Sequence, residues 1–108
     1  MIPSTPAGPV DMLVLYRAKK GSEDALLALV QKHKPTLDAL GLSTAQPARI
    51  WRGRDRDGAV TFIESFQWKD AKAPEIAHQT PQVMAVWEPM DALMDGMQIL
   101  EVSELHAG

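Results

Sequence analysis

ARIWRGRDRDGAVTFIESFQW, residues 48–68, reads as two strand-forming runs around a turn. Ala48 to Arg54 and Ala59 to Trp68 are rich in β-formers, and Asp55-Arg56-Asp57-Gly58 between them ends in a dipeptide that tolerates positive φ, so the segment predicts a β-hairpin. In its second strand Val60, Phe62, Glu64, Phe66 and Trp68 share one face and Ile63 lies on the other, because side chains alternate along a strand. A carboxylate therefore sits in the middle of an apolar face.

Upstream, Met12-Leu13-Val14-Leu15-Tyr16 is apolar at every position, the pattern of a strand covered on both sides. Ser22 is a good N-cap, with Glu23 and Asp24 favourably placed at the positive end of a helix dipole. Leu26, Leu29, Val30, His33, Leu37 and Leu40 then keep helical spacing as far as Gly41. Pro35 lacks an amide hydrogen and is expected to kink this helix or split it after His33. Downstream, a second helical region starts near Asp70 and is expected in two short pieces, because Thr80-Pro81 restarts it. Pro89 is expected to end or bend the second piece and Gly96 to close the following turn, leaving Met97 to Val102 as the last strand.

The order strand, helix, strand, strand, helix, strand predicts an α+β, ferredoxin-like fold: a four-stranded antiparallel sheet with its helices on one face. The other face would then expose a large hydrophobic patch. A symmetric homodimer packing sheet against sheet covers it most simply, because one self-complementary patch buries both copies.

With 108 residues and 45% hydrophobic content, the chain suits one domain, expected over residues 10–104 between tails at 1–9 and 105–108. Met1-Ile2-Pro3-Ser4-Thr5-Pro6-Ala7-Gly8-Pro9 has neither the basic nor the apolar region of a secretory signal, so a cytoplasmic protein with no membrane partner is expected. The absence of cysteine excludes disulfides, iron–sulfur clusters, thiolate zinc sites and cysteine nucleophiles. A net charge of -3 argues against nucleic-acid binding; Arg49, Arg52, Arg54 and Arg56 are interrupted by Asp55 and Asp57. No phosphate-binding glycine loop, nucleophile elbow or dinucleotide fingerprint is present, and the three histidines show no metal-ligand spacing, so neither a cofactor nor a metal is expected.

Glu64 is the first candidate catalytic residue, since burial raises a carboxylate pKa toward the range of a general base; its structural alternative is a salt bridge to Arg49 or Arg52. His78, at the break in the second helical region, is the other candidate acid–base group, or else a cation capping a helix C-terminus. His33 lies on the apolar side of the first helix, either as a core residue with one hydrogen bond or as a ligand contact. Trp51, Trp68 and Tyr16 complete the substrate-binding candidates; Met84, Met90, Met94 and Met97 form a soft apolar group.

Val14-Leu15-Tyr16-Arg17 with Lys20-Gly21, then Glu64-Ser65-Phe66-Gln67-Trp68-Lys69-Asp70, and above all Ala77-His78-Gln79-Thr80-Pro81, resemble the dimeric α/β-barrel superfamily and within it the antibiotic biosynthesis monooxygenase group. The resemblance covers roughly residues 11–102 as topology. It implies a homodimer whose sheets close a barrel, a cavity between sheet and helices, and oxidation of aromatic or quinol-like substrates by molecular oxygen without metal or flavin. In such chemistry His78 or Glu64 would take a phenolic proton while Trp51 or Trp68 packs the rings. Haem-degrading relatives use an asparagine on the first strand, and this chain has no asparagine. A non-catalytic binding or structural protein of the same fold is the competing expectation, and an isomerase or decarboxylase of a small phenolic acid is a third.

Overall fold

The structure is a computed structural model that describes residues 8–106. The expected tails fall largely outside this span, at residues 1–7 and 107–108. Seven elements follow in chain order: β1 (Val10–Ala18), α1 (Glu23–Ala39), β2 (Arg49–Arg54), β3 (Val60–Trp68), α2 (Ala73–His78), α3 (Pro81–Asp91) and β4 (Met94–Glu101). The strands form one antiparallel sheet in the order β2-β3-β1-β4, which is the ferredoxin-like arrangement. No helix among the described residues is long and apolar enough to cross a membrane.

The hairpin closes as its sequence requires. Gly58 adopts φ 80°, and Asp55 Oδ1 accepts hydrogen bonds from the amides of Asp57 (2.9 Å) and Ala59 (3.0 Å). That turn sets the register: Phe62 lies opposite Arg52 and Tyr16, and Glu64 opposite Ile50 and Val14. The even-numbered residues of β3 and Val14, Tyr16 and Ala18 of β1 thus share the helix-covered face, where they join Leu26, Val30 and Leu37 of α1 and Val83, Val86 and Met90 of α3 in one core.

The first helix departs from expectation: α1 runs unbroken through Pro35. Proline deprives the carbonyl four residues earlier, that of Gln31, of its donor, and both residues are exposed, so water can satisfy the freed group. Ser22 and Thr80 occupy N-cap positions without capping through their side chains. Instead Glu23 accepts from the Gly21 amide (2.8 Å), while Thr80 donates back to the Ile76 carbonyl (2.7 Å). The second helical region is split as expected, but α3 continues past Pro89 to Asp91. Ala85, whose carbonyl loses its donor there, is likewise exposed.

β4 begins three residues earlier than expected, and Gly96 lies within it rather than in a turn. Arg17 pairs with Gly96 but Ala18 pairs with Met94, so Asp95 is an extra residue in an irregular ladder. Strict alternation would send Met94 and Met97 to opposite faces. The extra residue brings them onto the same one, beside Ala18 and Tyr16.

Lys34, a buried cation, ties the end of α1 to the following loop. Its Nζ donates to Asp38 Oδ1 (2.6 Å) and the Thr44 carbonyl (2.8 Å), and Ser43 also donates to Asp38. Burial pulls the Asp38 carboxyl upward, but the hydrogen bonds from Lys34 and Ser43 and the Lys34 charge outweigh it and hold the carboxyl below its ordinary range. A folded-state pKa below the unfolded value contributes stability above the unfolded pKa, near about 3.9, and loses it as pH falls through the folded one. Asp38→Asn should therefore show a smaller loss of urea midpoint between pH 6 and pH 3 than the parent. The difference should stay below about 1 kcal/mol, because the Asp38 side chain is half exposed. Parallel pH profiles for the two proteins would remove this clamp from the account.

Away from the helices, the sheet presents Leu13 and Leu15 of β1 and Ile63 of β3, all half-buried, with Trp51 (40% exposed) and Leu100 (36%) beside them. The Arg49 guanidinium lies 4.8 Å from the Trp51 ring centroid, within cation–π range. This is the open apolar face expected from the sequence.

Candidate functional site

Glu64 is completely buried, at 0% exposure. Its Oε1 accepts from the Tyr16 hydroxyl at 2.6 Å and lies 2.8 Å from His33 Nδ1. Tyr16 reaches it diagonally from β1, the usual reach of a long side chain across neighbouring strands, and His33 descends from α1. The expected arginine partners are absent from this cluster. Arg49 faces the opposite side of the sheet, while Arg52 shares the Glu64 face but lies over the Phe62 ring at 5.7 Å. The pairing is carboxylate with imidazole and phenol, fixed by register and by the approach of α1.

With Glu64 as a carboxylate, which only accepts, both contacts on Oε1 would be donated to it, the one from His33 through its Nδ1 hydrogen. That contact orients the imidazole and leaves Nε2 as its free nitrogen. Nε2 has no hydrogen-bond partner among the described residues, nor has Glu64 Oε2 or Trp68 Nε1. Burial first, then the Glu64 charge and its hydrogen bond, push the Tyr16 phenol far above its ordinary range. Tyr16 is thus a permanent donor to Glu64 and not a base.

A cavity of about 220 Å³ adjoins this cluster. Tyr16, His33, Phe66, Trp68, His78 and Trp87 contribute to its wall, with Met12, Met90, Met94 and Met97 among the other lining residues. The aromatic rings form a connected chain. Trp68 meets Phe66 at 5.0 Å, Phe66 meets the His33 edge at 5.0 Å, His33 meets Trp87 at 5.7 Å, and Trp87 meets His78 at 4.8 Å. These distances suit edge-to-face packing. The outer wall is open: Met97 is 51% and Ile99 56% exposed, and His78 is exposed at the end of α2.

Among the sequence candidates, Tyr16, His33, Trp68 and His78 line the cavity, and Glu64 stands behind Tyr16 and His33. Trp51 belongs to the other face of the sheet, opposite Ile63, and does not line the cavity. His78 and Glu64 do not touch through any hydrogen bond in the structure; the acid–base pair that forms is His33 with Glu64. Met84 is absent from the wall, whereas Met12 and Trp87 belong to it. Trp87 could have been found from helical spacing, since Val83, Val86 and Met90 of α3 are core residues around it.

A buried carboxylate–histidine–tyrosine cluster thus stands beside an aromatic cavity on the helix-covered face of a ferredoxin-like sheet. Solved structures share that fold. SnoaB from Streptomyces nogalater, described as a cofactor-independent oxygenase, matches with a TM-score of 0.68 and 13% identity over 94% of this chain and 100% of its own. A structure described as an antibiotic biosynthesis monooxygenase matches with a TM-score of 0.67 and 14% identity, over 90% of this chain and 99% of its own. A dimeric ferredoxin-like protein of unknown function from Jannaschia sp. matches with a TM-score of 0.70 and 15% identity, over 90% of this chain and all of the other. At such identity the likeness is one of fold. A scan of protein-family models and a search of curated proteins gave no match.

Proposed function

We propose that this chain is a small-molecule-binding dimeric α/β-barrel protein, a single domain over residues 10–104, acting as a cofactor-independent monooxygenase on a small aromatic or quinol-like substrate. The observation that carries this reading is the His33–Glu64 pair: an imidazole tied at Nδ1 to a buried carboxylate, free at Nε2, in the wall of an apolar cavity. A carboxylate that holds a histidine in one tautomer also stabilises the imidazolium formed when that histidine takes a proton. The fold shared with an oxygenase adds support without assigning the activity.

In this mechanism His33 Nε2 removes the hydroxyl proton of the bound quinol. The Glu64 carboxylate stays ionised beside the new imidazolium, and Tyr16 holds Oε1 in place. The electron-rich anion reacts with oxygen at a ring carbon bearing hydrogen, forming a carbon–oxygen bond and a hydroperoxide. Loss of water then leaves a hydroxyquinone: one oxygen atom enters the product, the other leaves as water, and the substrate supplies all four electrons. The unpartnered Trp68 N–H suits a substrate oxygen that gains negative charge. His78, exposed at the rim, exchanges protons with solvent.

The dimer rests on the apolar outer face of the sheet and on fold relatives described as dimeric. Pairing two such faces would bury Leu13, Leu15, Ile63, Trp51 and Leu100 of each copy.

An oxygen electrode with 1,4-dihydroxynaphthalene tests the chemistry. Protein-dependent uptake of one oxygen per quinol, without accumulating peroxide, is the expected result, and His33→Gln should slow it by about 100-fold or more. Saturable binding without uptake would leave a binding protein and overturn the monooxygenase reading. Stoichiometric peroxide would reduce the effect to autoxidation.

A further inference from the structure

The cavity wall holds six residues with polar side-chain atoms, Tyr16, His33, Trp68, His78, Trp87 and Asp91, and no lysine or arginine among the described residues. Three cations of the surrounding elements are engaged elsewhere. Lys34, one residue after His33, donates to Asp38 and Thr44; Arg52 lies over Phe62; Arg17 pairs with Asp55 at 3.4 Å. Carboxyl groups, by contrast, are present. Glu64 is fully buried directly behind His33 and Tyr16, and Asp91 is an exposed carboxylate of the lining.

From this distribution of charge we infer that the site takes uncharged hydroxyarenes of one or two fused rings and rejects arenes that already carry a carboxylate, sulfonate or phosphate. The inference rests on reading the cavity as a ligand site and names the substrate class of that site. Moving a ligand anion into an apolar cavity without a paired cation costs its hydration, and the exposed Asp91 carboxylate in the wall adds repulsion. The Glu64 carboxylate compensates only the one positive charge that His33 can carry. A neutral phenol or quinol enters without that penalty, and its negative charge arises only when its own proton has moved to His33, so the imidazolium and the anion appear together. The site thereby favours the ionised state formed in the reaction over a ligand that arrives ionised.

The volume sets the other limit. About 220 Å³ lies between an apolar cavity of roughly 150 Å³ that accepts one benzene ring and the roughly 300 Å³ at which drug-sized pockets begin. One or two fused rings fit that interval. An acid-decarboxylating role on phenolic acids falls under the charge exclusion.

Calorimetric titration of the full chain with 1-naphthol and with 1-naphthoate at pH 7 tests this, because the two probes share a ring system and differ in charge. Naphthol should bind about 100-fold more tightly; a ratio below about 10-fold overturns the charge selection. Met97→Lys places a cation on the half-exposed side of the cavity. It should improve naphthoate binding about 10-fold while naphthol stays within about threefold, and Met97→Gln should leave the ratio unchanged. An unaltered ratio in Met97→Lys would also overturn the inference. Equal binding of both probes would leave the small-molecule reading intact, whereas binding of neither at millimolar concentration would remove both. Selective naphthol binding in a protein that consumes no oxygen with quinol would uphold charge selection and overturn only the monooxygenase.

Discussion

Glu64→Ala is expected to lose about 3–5 kcal/mol of unfolding free energy, from two buried donors left without an acceptor at about 1–3 kcal/mol each and the void left behind. The Tyr16 hydroxyl and the His33 N–H converge on one oxygen of a side chain with no exposure, so the truncation strands two donors in a dry interior and opens a void among Val14, Ile50 and Phe62. Glu64→Gln keeps an acceptor oxygen and should cost less, while Tyr16→Phe removes one hydroxyl and should cost about 1 kcal/mol. Combining Tyr16→Phe with Glu64→Ala should cost less than the sum of the two, because the phenol has already lost its acceptor. Urea unfolding of the four proteins measures this directly. A Glu64→Ala variant within about 1 kcal/mol of the parent would contradict the buried cluster. The same substitutions separate structure from chemistry: Tyr16→Phe should slow oxygen uptake only in part, whereas folded Glu64→Gln should lose it together with the orientation of His33.

Phe62→Ala should cost about 3–5 kcal/mol, through lost burial and the cavity left behind, and lower the melting temperature by more than about 10 °C. Phe62 is 1% exposed and sits between Tyr16 and Arg52 on the helix-covered face. Its loss acts on folding within one chain, so the decrement should be the same at low and high protein concentration. Ile63, its neighbour on the opposite face, distinguishes the two surfaces. Ile63→Asp should convert a dimer into a single-chain species in sedimentation and abolish the concentration dependence of the melting temperature, since association stabilises only the folded state. A parent protein that already sediments as one chain at micromolar concentration would sink the sheet-to-sheet dimer. A Phe62→Ala protein that loses stability only on dilution would reverse the assignment of faces.

Both results bear on how far this sequence can be read. The hairpin is legible because Asp55 and Gly58 satisfy a local geometric demand, and the alternation of Val60 to Trp68 then places Glu64 among core residues without further information. The restart at Thr80-Pro81 is equally local. The prolines were harder: Pro35 and Pro89 carry the chemistry of helix breakers, and whether a helix tolerates them depends on whether the orphaned carbonyl meets water, which is a property of burial. The same limit explains Met94 and Met97. Their shared face comes from one unpaired residue in the β1–β4 ladder, and no alternation rule anticipates a bulge.

The site divides along that line. Residue types and short-range periodicity were enough for the α+β order, the apolar face with its carboxylate, the open opposite face and the aromatic residues around them, because propensity, alternation and turn chemistry act within a few neighbours. Which base meets Glu64 was a question of three dimensions. His33 lies 31 positions away along the chain and Tyr16 48, and both reach Oε1 through the packing of α1 on the sheet and the register of β1 against β3. Arg52, close in sequence and on the correct face, lost that place to an aromatic ring, and Trp51 was carried to the far side of the sheet by one step of the pleat. Contacts between distant segments depend on how whole elements pack, and local pattern carries no record of that choice.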